Sequence, residues 1–115
     1  MNDLESLRHQ LQTFAAERDW DHFHSPKNLA SALLVEAADL LQHFQWLTEA
    51  ESQHLLPEKL ATVSSEVGGV LLYLIRISDK LGIDLIAAAN AKIAVNTTKY
   101  PVDKAHGNSK KYSEL

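Results

Sequence analysis

The chain has 115 residues and a mass of 12.8 kDa, and because 45% of the residues are hydrophobic we predict one globular domain over residues 1–115. The formal net charge of −4 argues against a protein that binds a nucleic acid polymer by coating its phosphates. The absence of cysteine excludes disulfides and thiolate metal sites and favours a reducing compartment. The polar N-terminus and the short apolar runs lead us to expect a cytoplasmic protein without a membrane span.

Charge is unevenly distributed along the chain. Residues 92–115 carry a balance of +3, which leaves −7 for residues 1–91. This basic segment, predicted to be irregular from about residue 100, is either a solvated tail or an element that meets the acidic part around a shared anionic ligand, within one chain or across a subunit interface. Its lysines are Lys92, Lys99, Lys104, Lys110 and Lys111.

Apolar residues recur at helical spacing through the first half of the chain. We predict a first helix that is capped by Asn2 or Asp3 and ends near residues 20–24. A second helix is expected to be capped by Asn28 and to extend to about Leu47. The apolar positions are Leu4, Leu7, Leu11 and Phe14 in the first helix, and Leu29, Leu33, Ala37, Leu40, Leu41 and Phe44 in the second.

Start and stop signals divide the second half of the chain. The run Thr48–Glu51 is typical of a capping box that opens a short helix or turn. A long helix is predicted from about Glu58 to Leu81, with Gly82 ending it, and Asp84 is expected to cap a further helix to about Asn96. Because no hairpin signal separates alternating apolar runs, we predict an all-α fold that resembles a four-helix bundle.

The stretch Val67–Ile77 is apolar on nearly every side, with Arg76 as its one charged residue. A helix that is apolar all round must be covered all round. With so few helices in the chain, the sequence predicts that a second subunit supplies part of the cover, so we expect homo-oligomerisation through a two-fold interface.

Three carboxylates stand in apolar surroundings. Glu36 and Asp39 are three residues apart and share one helix face, and Glu66 opens the apolar stretch of the fourth helix. Carboxylates in such surroundings are costly unless they are paired or bind a cation, and three oxygen ligands between two helices suit Mg²⁺. The spacing is equally compatible with a wet helix face on which the acids pair with Arg or Lys.

Aromatic residues form a second group of candidates. Trp20, Phe23 and His24 cluster in the first loop, and Trp46 follows the helix that carries the acid pair. These rings are either ordinary core residues or a slot in which a nucleobase stacks. No zinc-type His and Cys spacing, P-loop or nucleophile motif is present.

Several segments of the chain, in the same order, resemble one known group of enzymes. They are Phe14-Ala-Ala-Glu-Arg-Asp-Trp20, Phe23-His24 with Pro26 and Asn28-Leu29, Phe44-Gln45-Trp46, Tyr100-Pro101 and Lys111-Tyr112-Ser113-Glu114-Leu115. The sequence resembles the all-α nucleoside triphosphate pyrophosphohydrolases of the MazG-like superfamily, and within it the dCTP pyrophosphatases. The resemblance implies a mainly four-helix core, assembly as a dimer or a dimer of dimers, and Mg²⁺-dependent cleavage of a nucleoside triphosphate to the monophosphate and pyrophosphate.

The resemblance also implies a role for each candidate. The first acid pair of the family falls on Glu36 and Asp39, and the second falls on Glu66 and Gly69, so the fourth expected metal ligand has no side chain here. The family's base-binding residues fall on Trp20, His24, Trp46 and Tyr73, and its phosphate-binding residues fall on Lys92, Asn96, Lys99 and Tyr100.

We therefore expect hydrolysis of a dCTP-like nucleotide with Mg²⁺, or with Mn²⁺ in its place, by a homodimer or homotetramer, with Glu36, Asp39 and Glu66 as catalytic, metal-holding acids. Gly69 leaves open a second hypothesis, a nucleotide-binding homologue with weak or no catalysis. A third hypothesis is a helical interaction module whose acids are surface charges.

Overall fold

The computed structural model describes residues 3–115, which form helices and no strands. The elements in chain order are α1 (Asp3–Glu17), a 3₁₀ turn (Asp21–Phe23), α2 (Pro26–Gln42), α3 (Glu49–Ser52), α4 (Pro57–Leu81), α5 (Leu85–Lys99), α6 (Val102–Ala105) and a second 3₁₀ turn (Tyr112–Glu114). The prediction of an all-α fold with four long helices is therefore confirmed.

Local signals set three of the helix boundaries as predicted. Thr48 caps α3 in a reciprocal capping box with Glu51. Gly82 ends α4 with a left-handed backbone, φ 67°, a conformation that glycine adopts without a steric penalty. Asp84 caps α5, since its Oδ1 accepts a hydrogen bond from the N–H of Ala87 at 3.0 Å.

The start of α2 differs from the prediction. Ser25, and not Asn28, is the N-cap, and its Oγ accepts a hydrogen bond from the backbone N–H of Asn28 at 3.1 Å. Pro26 suits the first helical position, because its fixed φ is already helical and its missing N–H would have had no partner in the helix. The Asn28 side chain instead donates to the carbonyl oxygen of Phe23 at 2.9 Å and ties the preceding turn to the helix.

The end of α2 also differs from the prediction, since the helix stops at Gln42 rather than near Leu47. The N–H groups of His43 and Phe44 bond to carbonyls three residues back, at 3.3 and 2.9 Å, and the chain tightens into a turn.

The predictions for the two ends of the chain also differ from the structure. Asp3 is already inside α1, and the alternative cap, Asn2, lies outside the described residues. The segment from residue 100 is not irregular throughout, because Pro101 precedes the short helix α6 and a 3₁₀ turn follows near the C-terminus. Proline cannot continue α5, but its fixed φ allows a new helix to begin directly after it.

The described residues divide into two compact units, residues 3–82 and residues 83–115. In the first unit α4 packs mainly against α2 and less extensively against α1. Contacts of His43 with Lys59 and of Glu36 with position 69 show that α2 and α4 run antiparallel. In the second unit Lys99 lies over the ring of Tyr112, 4.5 Å from its centroid, and Tyr100 meets the same ring edge-on.

Much of the apolar surface on the long helices is exposed. The buried apolar core consists of Ala15, Leu29, Val63 and Ile75. Large apolar side chains that remain exposed include Leu34 (71%), Val35, Leu41, Trp46 (86%), Leu60, Val67, Leu71 and Leu72. By length and composition alone α4 could cross a membrane, a weak indication because the core helices of globular proteins meet the same criteria.

Candidate active site

The first pair of predicted metal ligands lies on the face of α2 that meets α4. Glu36 and Asp39 are both half-buried. The carboxylate of Glu36 fills the space above Gly69: a Cβ added at Gly69 would overlap Glu36 Oε1 and lie 2.8 Å from its Cδ. The absent side chain at position 69 is thus replaced in space by the glutamate of the facing helix.

Glu66 lies one turn earlier on α4 and has an unusual environment. His43 Nε2 is 2.8 Å from Glu66 Oε2, and Lys59 Nζ is 3.1 Å from the other ring nitrogen of His43. The imidazole is not oriented to donate to the carboxylate, however, so within residues 3–115 the buried Oε2 has no hydrogen-bond partner. An unpartnered buried carboxylate oxygen is costly, and a cation is one group that removes this cost.

These features fit a divalent cation, although the site is not preassembled. Among the described residues no three His, Asp or Glu side chains are close enough together to hold a metal ion. The donor chemistry nevertheless suits a hard cation, because the candidates supply only carboxylate oxygens and Glu66 Oε2 is unpartnered. Glu36 reaches the interface through a flexible side chain, which allows it to move toward such an ion.

Of the predicted first-loop cluster, Trp20 and His24 are brought together, whereas the ring of Phe23 contacts His22, and Trp46 lies apart. Trp20 meets Phe14 edge-on at 5.6 Å and His24 edge-on at 6.3 Å between ring centroids. Trp46 is 86% exposed, and no ring contact joins it to Trp20 in the part of the chain that is described. Tyr73 is half-buried on α4. Within the described part of one chain, Trp20 and Trp46 therefore do not form the two sides of a sandwich.

A buried arginine fixes this loop to α4. Arg76 is only 5% exposed, and its Nε donates to His24 Nδ1 at 3.2 Å while its Nη2 donates to Asp21 Oδ1 at 2.5 Å. Lys80, one turn further along, donates to the same Asp21 oxygen at 2.7 Å. Asp79 accepts from Arg76 at 3.5 Å and from Gln12 of α1 at 2.9 Å, so one cluster joins α1, the loop and α4.

The cluster shifts the protonation of two of its members. Hydrogen bonds from Lys80 and then Arg76 lower the pKa of the exposed Asp21 carboxyl. Burial is the main factor that lowers the pKa of His24, and the positive charges of Arg76 and Lys80 act in the same direction. The lowered pKa of His24 favours a neutral imidazole beside Trp20 over an imidazolium, although the Asp21 carboxylate acts in the opposite direction.

The predicted phosphate-binding residues lie in the second unit. Lys92 and Asn96 are exposed on α5, one helical turn apart, and Lys99 and Tyr100 follow at its end. Lys99 is engaged with the ring of Tyr112. Their residue types and their common helix are compatible with binding an anion.

Reasoning from sequence missed the importance of Arg76, Asp21 and His43. The position of Arg76 as the one charge in an apolar stretch was a usable signal, because a buried guanidinium needs partners. The sequence carried no comparable signal for Asp21, which lies 55 residues from Arg76. His43, the residue that follows α2, lies seven residues after Glu36, and this spacing of about two helical turns places it on the acid-bearing side.

Comparisons with known proteins identify the family of the chain. The family model described as the MazG-like family matches residues 32–115. The protein dCTP pyrophosphatase 1 of Homo sapiens is 40% identical over 114 residues, and that of Rattus norvegicus is 39% identical. Each match covers 97% of this chain and 67% of the relative, so the chain spans about two thirds of the length of these relatives.

A solved structure is also similar. A crystal structure of a pyrophosphatase from Archaeoglobus fulgidus superposes with a TM-score of 0.82 at 35% sequence identity, covering 88% of this chain and 94% of that one. The family model, the relatives and the fold all agree, and this chain belongs to the MazG-like family.

Proposed function

We propose that this chain hydrolyses dCTP, or a closely related pyrimidine deoxynucleoside triphosphate, to the monophosphate and pyrophosphate with the help of a divalent cation. The broader class, a nucleotide pyrophosphohydrolase, is supported by the family and by the names of the relatives. The observation that carries the choice of dCTP is identity of 37–40% over 97% of the chain to proteins named dCTP pyrophosphatase 1.

Glu36, Asp39 and Glu66 are the residues proposed to hold the cation, with Mg²⁺ first and Mn²⁺ as a substitute. When bound, such an ion polarises a phosphoryl oxygen, activates water and neutralises the leaving pyrophosphate. Two observations support this assignment: Glu66 Oε2 has no hydrogen-bond partner within residues 3–115, and the Glu36 carboxylate lies at the same interface beside Gly69. Trp20 offers a ring face for stacking the base, next to the imidazole of His24.

The remaining candidates contribute to the same proposal. Trp46 and Tyr73 are proposed to line the base pocket, and Lys92, Asn96, Lys99 and Tyr100 are proposed to bind phosphate oxygens as cationic and hydrogen-bonding groups. Hydrogen bonds to the triphosphate would orient the leaving group, while the stacked base would set the position of the reacting phosphate.

The activity is tested by measuring pyrophosphate release from a panel of deoxynucleoside and ribonucleoside triphosphates with Mg²⁺ and with Mn²⁺. We expect dCTP to give the highest kcat/KM, with turnover abolished by chelator. Glu66→Gln preserves the size of the side chain and should lower the activity by about 100-fold, since loss of a ligand should reach at least the upper end of the about 10–100-fold effect of losing a group that orients one. The folded wild-type protein releasing no pyrophosphate from any nucleotide would refute the enzymatic proposal.

A second candidate function is a nucleotide-binding homologue with little catalysis. It is favoured by Gly69, which leaves one family acid without a side chain and has Glu36 in its place. Calorimetry that detects dCTP binding with Mg²⁺, combined with absence of pyrophosphate release, distinguishes this function from the first.

We also propose that the chain is a homodimer or homotetramer and acts in the cytoplasm. The exposed apolar residues of α2 and α4, among them Leu34, Val67 and Leu71, support an interface that a second copy covers. Light scattering after gel filtration should give a multiple of the 12.8 kDa chain mass. Leu34→Glu should shift this mass toward the monomer, whereas a wild-type monomer at micromolar concentration would contradict the proposal.

A further inference from the structure

The buried guanidinium of Arg76 has a separate partner for each of its three nitrogens. Nε donates to His24 Nδ1, Nη2 donates to Asp21, and Nη1 lies 3.5 Å from Asp79. The side chain is 6% exposed, so these partners replace the water that the charge has lost. Arg76 is therefore held in one orientation by groups on its own helix and in the first loop.

The direction of the bond to His24 determines where the imidazole carries its proton. A guanidinium has only donors and is not deprotonated in proteins. Nδ1 of His24 must then be the acceptor, which leaves the ring neutral and its single proton on Nε2. Asp21 accepts from a different guanidinium nitrogen, Nη2, and Lys80 binds Asp21 rather than the imidazole, so neither competes for Nδ1.

The Nε2–H group is available to a ligand. No residue in the described part of the chain accepts a hydrogen bond from it, and the ring lies edge-on to Trp20 at 6.3 Å. Because His24 lies beside the ring of Trp20, its Nε2–H would face the edge of a base that stacks on that ring. Cytosine offers a carbonyl oxygen and an unprotonated ring nitrogen as acceptors for this N–H, whereas its amino group, itself a donor, is not a partner for it.

We propose that Arg76 is a positioning residue, which fixes His24 as the neutral Nε2–H tautomer so that this N–H donates to an acceptor on the edge of the base. This inference rests on the proposed function for the identity of the ligand. The tautomer itself does not depend on any activity. Arg76 would thus influence base recognition through His24 without touching the nucleotide.

The tautomer is measured by long-range ¹H–¹⁵N correlation spectra of the full-length protein labelled with ¹⁵N-histidine, with His24 assigned from the His24→Gln spectrum. We expect a protonated Nε2 and an unprotonated Nδ1 at neutral pH, and a shift of the Nε2–H signal on titration with dCMP. A protonated Nδ1, a mixture of tautomers, or an Nε2–H signal that dCMP leaves unchanged would overturn the proposal.

Variants separate positioning from folding. Arg76→Lys keeps a buried cation and a donor, and should keep the tautomer, whereas Arg76→Met should give a mixture of tautomers. Lys80→Met is the matched control, since it removes a neighbouring cation from the same Asp21 without a bond to His24, and it should leave the tautomer unchanged. A mixture in Lys80→Met and in Arg76→Lys would show that the cluster as a whole, and not the Arg76 bond, sets the proton.

Kinetics then tests the link to the base. For Arg76→Met we expect KM for dCTP to rise about 10-fold with kcat within about 2-fold, because a base contact contributes equally to substrate and transition-state binding. An unchanged KM alongside an altered tautomer would overturn the role in recognition. If the wild-type protein binds dCMP through Nε2–H but hydrolyses no nucleotide, the proposed activity fails while the role of Arg76 stands.

Discussion

Adding a side chain at Gly69 probes the contact between α2 and α4 directly. A Cβ there would overlap the Glu36 carboxylate, whereas a Cβ at the neighbouring Gly68 would meet nothing within 4 Å. Both glycines lie inside α4, where replacement by alanine gains about 1 kcal/mol of helix propensity. Gly68→Ala should therefore raise the free energy of unfolding by about 1 kcal/mol, and it serves as the matched control.

Gly69→Ala should raise the free energy of unfolding by less than Gly68→Ala does. The overlapping atoms belong to the flexible end of Glu36, so the carboxylate swings aside at a cost of about 0.5–1.5 kcal/mol for a less favourable rotamer. The net change relative to the wild type is then close to zero. Urea unfolding at one fixed protein concentration, which removes the effect of any association, measures the difference between the two variants. Equal stabilisation by both alanines would refute the position of Glu36 described here.

Gly69→Asp extends the test to the metal. Two carboxylates about 4 Å apart repel by about 1 kcal/mol in water and about 4 kcal/mol at an effective dielectric constant of 20. At this half-buried interface we expect Gly69→Asp to be less stable than Gly69→Ala by about 1–3 kcal/mol without divalent cations. Mg²⁺ should stabilise the aspartate variant more than the alanine variant, since the repelling pair then becomes a pair of ligands. An equal response of the two variants to Mg²⁺ would refute shared ligation at this position.

Three further predictions concern caps and protonation. Thr48→Ala should lower the free energy of unfolding by about 1 kcal/mol, and NMR titration should show the pKa of Glu51 still below its ordinary value, because the hydrogen bond from the backbone N–H of residue 48, the main cause of the shift, remains and only the smaller contribution of the hydroxyl is lost. Asp84→Ala should lower the free energy of unfolding by about 1 kcal/mol, because α5 loses its cap. A change below about 0.3 kcal/mol in urea unfolding would contradict that role of Asp84. The pKa of His24 is lowered from 6.5, chiefly by burial, with Arg76 and Lys80 adding to the shift and Asp21 opposing it. Below pH 6.5 the unfolded chain binds a proton at His24 more readily than the folded chain does. The free energy of unfolding should therefore decrease as the pH falls below 6.5, and it should decrease less steeply in His24→Gln.

The helix boundaries that the sequence predicts correctly depend on signals within a few residues. The Thr48 capping box, the stop at Gly82 and the cap at Asp84 each involve neighbours along the chain, so one sequence contains all of the relevant chemistry. The prediction at Asn28 was wrong because two residues of capping type stand three apart, and only the proline after Ser25 distinguishes between them.

In the candidate site, too, the sequence predicts the contacts between near neighbours in the chain and not the contacts between distant residues. Helical spacing is enough to place Glu36 and Asp39 on one face of α2, and the loop is short enough to bring Trp20 beside His24. The partner of His24 is Arg76, 52 residues away, and it is chosen by the packing of the loop on α4. Side-chain pairs at such separations follow from tertiary structure, which a single sequence does not specify residue by residue.

Two charges on the apolar helix α4 now have different explanations. Arg76 is buried, and the protein itself supplies partners for all three of its nitrogens. Glu66 is also placed at an interface, yet its Oε2 lacks a hydrogen-bond partner among the described residues even with the His43 ring 2.8 Å away. A buried charge must be compensated by the protein or by something bound to it. Arg76 has its partners within the protein and organises the loop, whereas the proposed cation would supply the partner that Glu66 Oε2 lacks.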